Sequence, residues 1–185
     1  MTGRTEMTRG RGLNVWRIAG WGFAAALLLA PLVAMQFTRE VSWGPADFAV
    51  AALLIGGLGL AIEFAVRRTH NLAYRLGAGL ASLTAFALAW VNLAVGFIGD
   101  ESNPANLLFA LVLATALGGA VIARFRPIGM ALAMAAAGVA QLLVAVVVFV
   151  AGLGTMQEVL LVLLFGAPWP LAAALFRKAA SAPAD

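Results

Sequence analysis

The stretch IGMALAMAAAGVAQLLVAVVVFVAGL, running from Ile128 to Leu153, contains no charged side chain and a single amide, Gln141. A helix needs about 20 residues to cross the ~30 Å hydrocarbon core of a bilayer, so this segment is long enough to span one. It also lacks the polar face that a helix at the surface of a soluble domain would carry. The surroundings that suit it are lipid.

Five further windows read the same way: Val15 to Phe37, Pro45 to Val66, Leu72 to Phe97, Pro104 to Ala123 and Met156 to Leu175. The sequence therefore predicts an all-α integral membrane protein, a polytopic bundle of six transmembrane helices joined by short loops. A basic tail at 1–14, expected to be disordered, precedes the bundle at 15–176, and a short tail at 177–185 follows it. Nothing is left over for a soluble domain. Composition agrees: 63% of the 185 residues are hydrophobic and 11% charged, against about 45–50% apolar in soluble domains. Mean hydropathy is +0.98.

Charge placement sets the expected orientation. Arg4, Arg9, Arg11 and Arg17 precede the first window; Arg67, Arg68 and Arg75 surround the second connection; Arg124 and Arg126 lie in the fourth; Arg177 and Lys178 follow the last. All of the 12 basic residues except Arg39 thus fall on one side, while Glu40, Asp47, Asp100, Glu101 and Glu158 fall on the other. Positively charged loops stay in the cytoplasm, so both termini are expected there. The pI near 11.1 then reflects topology and attraction to anionic headgroups, not nucleic-acid binding. Arg used over Lys, with abundant Ala and Gly, is the composition of a GC-rich bacterial genome, which makes the cytoplasmic (inner) membrane the expected location.

Helix-start chemistry on the acidic side supports the same arrangement. Gly44-Pro45-Ala46-Asp47 and Asn103-Pro104-Ala105-Asn106 place Pro at the first helical position, where its missing N–H costs nothing. Thr155-Met156-Gln157-Glu158 has the form of a capping box. The first window also fits a cleaved secretory signal. Its apolar run is longer than a usual signal core and its small-x-small pattern near Leu32-Val33-Ala34 is imperfect, which favours a retained helix. Placing Pro45 on Pro104 aligns Gly59 with Gly118, Arg67 with Arg126 and Gly79 with Gly138, the pattern of a duplicated two-helix unit. Chance alignment of Ala/Leu/Gly-rich helices accounts for it as readily.

Polar side chains inside lipid are costly and need a partner or a role. Ser82, Thr84, Thr115 and Gln141 fall near the middle of their windows, and Glu63 is the one acid well inside a span. The structural reading has the hydroxyls and amide bonding between helices and Glu63 pairing with Arg67 four residues on. The functional reading strings Glu63, Asn92, Thr115 and Gln141 into a polar path between helices. From Trp90 to Asn106, Asn92, Gly96 and Asp100 share one helical face, and Asp100, Glu101, Asn103 and Asn106 are candidate residues of an outward mouth. The alternative is a tight hairpin with a solvated acidic turn, in which helix capping explains Asn103 and Asn106.

Trp16 and Trp43 suit interfacial anchors, one on each membrane face. Trp169 lies between Pro168 and Pro170, and two prolines there should kink or break the last span; Pro31 in the first span is a rough counterpart. Broken helices expose backbone in many transporters. Gly56, Gly57, Gly59, Gly77, Gly79, Gly118, Gly119 and the run from Ala135 to Gly138 favour close helix packing, within the bundle or between copies.

Enzyme classes find little support. With no Cys and one His, thiolate metal sites are excluded, a bis-histidine haem cannot be built within the chain, and no cofactor is expected. His70 lies in a connection, there is no Gly-x-Ser-x-Gly elbow, no pair of facing carboxylates at depth, and no phosphate-binding glycine loop. Two classes remain. One is a non-enzymatic subunit, assembly partner or regulatory component that recognises other membrane helices or copies of itself; the other is a small transporter or channel for a cation, proton or small solute. Scarce intramembrane charge favours the first.

Overall fold

The computed structural model describes residues 7–39 and 42–182, with side chains described from Val15 onward apart from Trp16 and residues 40–41. The readings made on Arg4, Arg9, Arg11, Glu40 and the Trp16 side chain lie outside these. The described residues are helical throughout, without a strand: α1 (Met7–Ala34), α2 (Pro45–Arg68), α3 (Leu72–Ala94), a 3₁₀ turn (Pro104–Leu107), α4 (Leu108–Ile122), α5 (Pro127–Val150), α6 (Met156–Gly166) and α7 (Pro168–Ala180). With α6 and α7 taken as one rod, six helices are long and apolar enough to cross a membrane. Two differences from the expected windows stand out: α1 starts at Met7 instead of Val15, and α3 stops at Ala94, short of Phe97.

Local rules account for where the helices start. Asp47 turns its carboxylate back to the Gly44 N–H at 2.7 Å, closing the first turn of α2 beside Pro45. Asn103 accepts from the Ala105 N–H at 3.0 Å ahead of Pro104. Thr155 and Glu158 form the full capping box at the start of α6. In α1, Pro31 ends the helix instead of breaking it midway: the helix stops one turn later, with the Met35 N–H on the Pro31 carbonyl at 2.9 Å.

The chain divides within α2 into two units, Met1–Leu60 and Ala61–Asp185. In the first, the Trp21 ring lies where a Cβ on Gly59 would come within 3.2 Å of it, so glycine admits the indole against α2. Trp43 meets Phe48 edge to face, with centroids 5.3 Å apart.

In the second unit α5 is the central helix, packed against α4, α6 and α7, and α7 also packs along α3. Glycine sets these approaches. A Cβ on Gly119 of α4 would stand 2.7 Å from the Ala133 Cβ of α5, so the two backbones touch at a spacing no side chain could share. Gly77 of α3 admits Leu175 and Phe176 of α7 in the same manner. Around these contacts Phe109, Leu88, Ile98, Trp169 and Phe176 are completely buried.

The α4–α5 connection departs from what glycine-rich helices would use. After the C-cap Ala123, the Arg124 N–H bonds the Val121 carbonyl and the Phe125 N–H the Ala120 carbonyl, the pattern of a left-handed C-terminal cap. Arg124 and Phe125 accordingly have φ of 50° and 56°. The end of α5 makes the same cap with Gly152 at φ 61°. At Arg124 the conformation persists because neighbours hold it: its carbonyl accepts from the Arg68 guanidinium at 3.0 Å, the Phe125 carbonyl from the Tyr74 hydroxyl at 2.8 Å, and the Phe125 ring packs edge-on to Phe64 at 5.0 Å.

A left-handed residue other than glycine costs about 1–2 kcal/mol, and the extra chain entropy of glycine returns about half of that. Arg124→Gly should therefore raise stability by about 0.5–1 kcal/mol in denaturant titrations of the detergent-solubilised protein. A loss of stability would mean that the Arg124 side chain itself holds the fold.

Candidate functional site

Two polar constellations in the second unit take up most of the buried polar groups. The first is the connection from α3 to α4. Here α3 ends with the Val95 and Gly96 N–H groups both on the Val91 carbonyl, and Gly96 takes φ 74°. A Cβ at Gly96 would lie 2.5 Å from the Asp100 carbonyl oxygen, so the loop folds back directly over this residue. What it folds around is Asn106.

Asn106 is 4% exposed, and all of its amide is used. Its Oδ1 accepts from the Phe97 and Ile98 N–H groups at 3.0 and 3.1 Å, and its Nδ2 donates to the carbonyls of Ile98 and Asp100 at 3.2 and 2.7 Å. One side chain thus satisfies four backbone groups of a loop that makes few backbone bonds of its own. The amide was expected to cap a helix start. Asn103 does so, whereas Asn106 points the other way, into the loop, because buried unpaired backbone groups cost more than a frayed first turn.

Asn92, one turn below, donates to the Asn106 carbonyl at 3.2 Å, and its Oδ1 is buried with no donor among the described residues. Glu158 closes the constellation from α6. Its Oε2 accepts from the Thr155 N–H at 2.6 Å as part of the capping box, and its Oε1 accepts from the Gly99 N–H at 2.8 Å. One carboxylate therefore ties the start of α6 to the α3–α4 loop. The capping box was legible in sequence, but the second oxygen's partner, 59 positions away, was not.

Asp100 turns onto Ser102, accepting from its N–H at 2.9 Å and its hydroxyl at 2.6 Å. These bonds, the hydroxyl's first, hold its carboxyl below the ordinary value of 3.8. Glu101 is exposed. Among the described residues no three His, Asp or Glu side chains come together as a metal set. The candidate mouth residues Asp100, Asn103 and Asn106 are thus brought together by bonds made to their own loop.

The second constellation is the proline-interrupted rod. Pro168 has no N–H to offer Leu164, and the Ala167 N–H covers the gap by reaching both the Leu163 and Leu164 carbonyls, at 3.1 and 3.3 Å. Backbone angles at Ala167 stay helical, so the rod bends without opening. Gln141 of α5 lies against this bend, 1% exposed, donating to the Val162 carbonyl at 2.9 Å and accepting from the Trp169 indole N–H at 2.9 Å. Gly138 and Gly166 make the fit possible: Cβ atoms there would stand 3.3 Å from Trp169 and from Gln141 respectively.

The remaining polar-path candidates are engaged locally. Thr115 bonds the Leu111 carbonyl of its own helix at 2.7 Å, as Thr84 does with Leu80. Glu63 pairs with Arg67 one turn on. Asn92 joins Asn106, and Gln141 joins Trp169; the bonds of Glu63, Asn92, Thr115 and Gln141 lead to four separate places. Sequence reading missed the role of Tyr74, whose hydroxyl fixes the α4–α5 turn. A lone tyrosine near a basic helix start was the available signal.

No family model matches the chain, and neither a characterised protein nor a solved structure is similar to it.

Gln141→Leu removes the partners of a buried indole N–H and a buried carbonyl and should destabilise the fold by about 1–3 kcal/mol. Adding Trp169→Phe to that variant should cost less than it does in the wild type, a coupling readable in a double-mutant cycle. Simple additivity would show that the Gln141–Trp169 bond contributes nothing. For Asp100 the sign follows from a depressed carboxyl: its contribution is present above pH 3.8 and is lost as pH falls through the lower value of the folded loop. In micelles, the Ser102 amide resonance should move with a midpoint below 3.8, and Asp100→Asn should abolish the movement. A midpoint at or above 3.8 would contradict the geometry.

Proposed function

We propose that this chain is a non-enzymatic component of a membrane assembly: a multi-pass protein of a bacterial cytoplasmic membrane, with both termini on the cytoplasmic side, that acts through contacts between its helices and those of a partner or a second copy. The observation that carries this reading is a division among its glycines. Gly77, Gly119, Gly129, Gly138 and Gly166 each face another residue of the chain so closely that an added Cβ would press on it. Gly20 and Gly22 of α1, Gly56 and Gly57 of α2, Gly79 of α3 and Gly118 of α4 have nothing among the described residues within 4 Å of that position. Glycine in a helix interior costs about 1 kcal/mol relative to alanine, and in membranes that cost is commonly offset by close approach of another helix. Five of these eleven glycines have such a neighbour inside the chain. The others have the surface for one without it.

The use of polar groups supports the same reading. Transport of an ion or polar solute needs side chains whose bonding capacity is open to cargo. In this chain Gln141, Asn106 and Thr115 spend theirs on backbone carbonyls and N–H groups nearby. The transporter alternative retains one observation in its favour, the donorless Oδ1 of Asn92.

Two substitutions separate these readings from each other and from a folding defect. Because no described residue lies near them, Gly56→Leu and Gly57→Leu should not lower the thermal unfolding midpoint of the isolated chain. They should also abolish the slower-migrating assembly expected of the wild type in native gels of mild-detergent extracts. A wild type that is monomeric and partnerless in such extracts, and that conducts protons or cations in proteoliposomes in a manner abolished by Glu63→Gln or Asn92→Ala, would replace the proposal with the alternative.

A further inference from the structure

One end of the second unit carries Arg67, Arg68, Arg75, Arg124, Arg126, Arg177 and Lys178 together with Glu63, while Asp100, Glu101 and Glu158 lie at the opposite helix ends. These basic groups are not equivalent. Arg67 is paired with Glu63. Arg75 bonds the Thr69 and Val66 carbonyls at 2.7 and 2.8 Å and so stitches α2 to α3. Arg177 and Lys178 occupy the last turn of α7, where cations suit the negative end of the helix dipole.

Arg126 has no such account, and Arg124, just past the end of α4, suits the dipole of that helix but engages nothing with its side chain. Among the described residues neither makes a side-chain hydrogen bond or ion pair, and both are exposed. Arg124 holds a left-handed conformation that glycine adopts at less cost. Arg126 is the N-cap of α5, a cation at the positive end of a 24-residue helix with no acid in its first turn. Arg68 joins them: its guanidinium is fixed against the Arg124 carbonyl at 3.0 Å and lies 5.5 Å over the Phe64 ring. Arg68, Arg124 and Arg126 therefore meet at one turn, Arg124 against backbone strain and Arg126 against the α5 dipole, and neither of these two has an acidic partner among the described residues.

The flanks of the turn say which anion suits it. Val121 and Ile122 precede it and Ile128 follows it, all exposed on helices of membrane-spanning length. Phosphate with two apolar chains attached meets both features at once, the headgroup at the arginines and the acyl chains along α4 and α5. Free phosphate would meet only the first. We propose that the α4–α5 turn, with Arg68, Arg124 and Arg126, is a docking site for the headgroup of an anionic phospholipid.

The purified full chain in a neutral detergent is titrated with dioleoylphosphatidylglycerol, with dioleoylphosphatidylcholine and with inorganic phosphate. The thermal midpoint and lipid retention in native mass spectra are followed. The phosphatidylglycerol titration should raise the midpoint and leave bound lipid, whereas the other two should do neither. Arg124→Gln and Arg126→Gln should each weaken phosphatidylglycerol retention roughly fivefold, the size of one basic residue's attraction to an anionic surface. Arg124→Gly should lose the lipid response although its backbone is relieved, which separates loss of binding from loss of fold. Arg177→Gln with Lys178→Gln removes twice the charge of any one turn variant and should retain the response. Equal effects of phosphatidylcholine or inorganic phosphate, an unaltered response in the turn variants, or an equal loss in the Arg177/Lys178 variant would each overturn the proposal.

Discussion

Backbone polarity governs this chain more than any single contact does. With 63% of its residues hydrophobic, it has few side chains to offer wherever a helix stops or meets proline, and an unpaired N–H or carbonyl there has no solvent to turn to if lipid surrounds it. The polar residues away from the ends are placed at those failures. Asn106 serves four backbone groups of the α3–α4 loop, Glu158 serves a helix start and the Gly99 N–H together, and Gln141 sits on the proline bend. Tyr74 and Arg68 hold the carbonyls of a left-handed turn. Asn106 and Glu158 are the economical answers, since there one side chain closes several vacancies.

That arrangement changes the meaning of the Pro-Trp-Pro segment. A proline pair within a span raises the question of exposed backbone, because the carbonyls one turn earlier lose their donors. Here the deficit at Pro168 is met from within, the Ala167 N–H being shared between two carbonyls, and Gln141 and Trp169 bond each other beside it while both are buried. The bend is a packing device. It lets α7 lie along both α3 and α5, with Gly138 and Gly166 thinned to admit the two large side chains.

What could be read in the sequence follows from the range of the physics. Helix starts at Pro45, Pro104 and Met156 were legible because capping involves residues three or four apart, and the long apolar windows were legible because span length is a one-dimensional property. The Glu63–Arg67 pair belongs to the same local class. The inward turn of Asn106 was not legible: the same Asn-Pro-x-Asn spelling satisfies a cap, and only the folded loop shows that Phe97 and Ile98 need the amide more. Gln141 and Trp169 are 28 positions apart on different helices, and their pairing depends on how α5 crosses the bend. Arg124 was unreadable for the opposite reason, since local preference pointed to glycine and tertiary contacts overrode it.

The internal repeat can be weighed on the same terms. Pro45 and Pro104 both begin helical segments behind a cap, as an ancestral two-helix unit would require. The correspondence then drifts, because placing Pro45 on Pro104 sets Arg68, the last residue of α2, on Pro127, the first of α5. The connections differ in kind as well: α2 passes to α3 through a turn capped by Asn71, α4 to α5 through a left-handed pair with no side-chain cap. Yet the two turns are joined, since Arg68 at the end of α2 and Tyr74 at the start of α3 are the groups that hold Arg124 and Phe125. The strained turn exists because the other connection supports it, so whatever their origin, the two connections now work as one piece, and a change in either is felt at both.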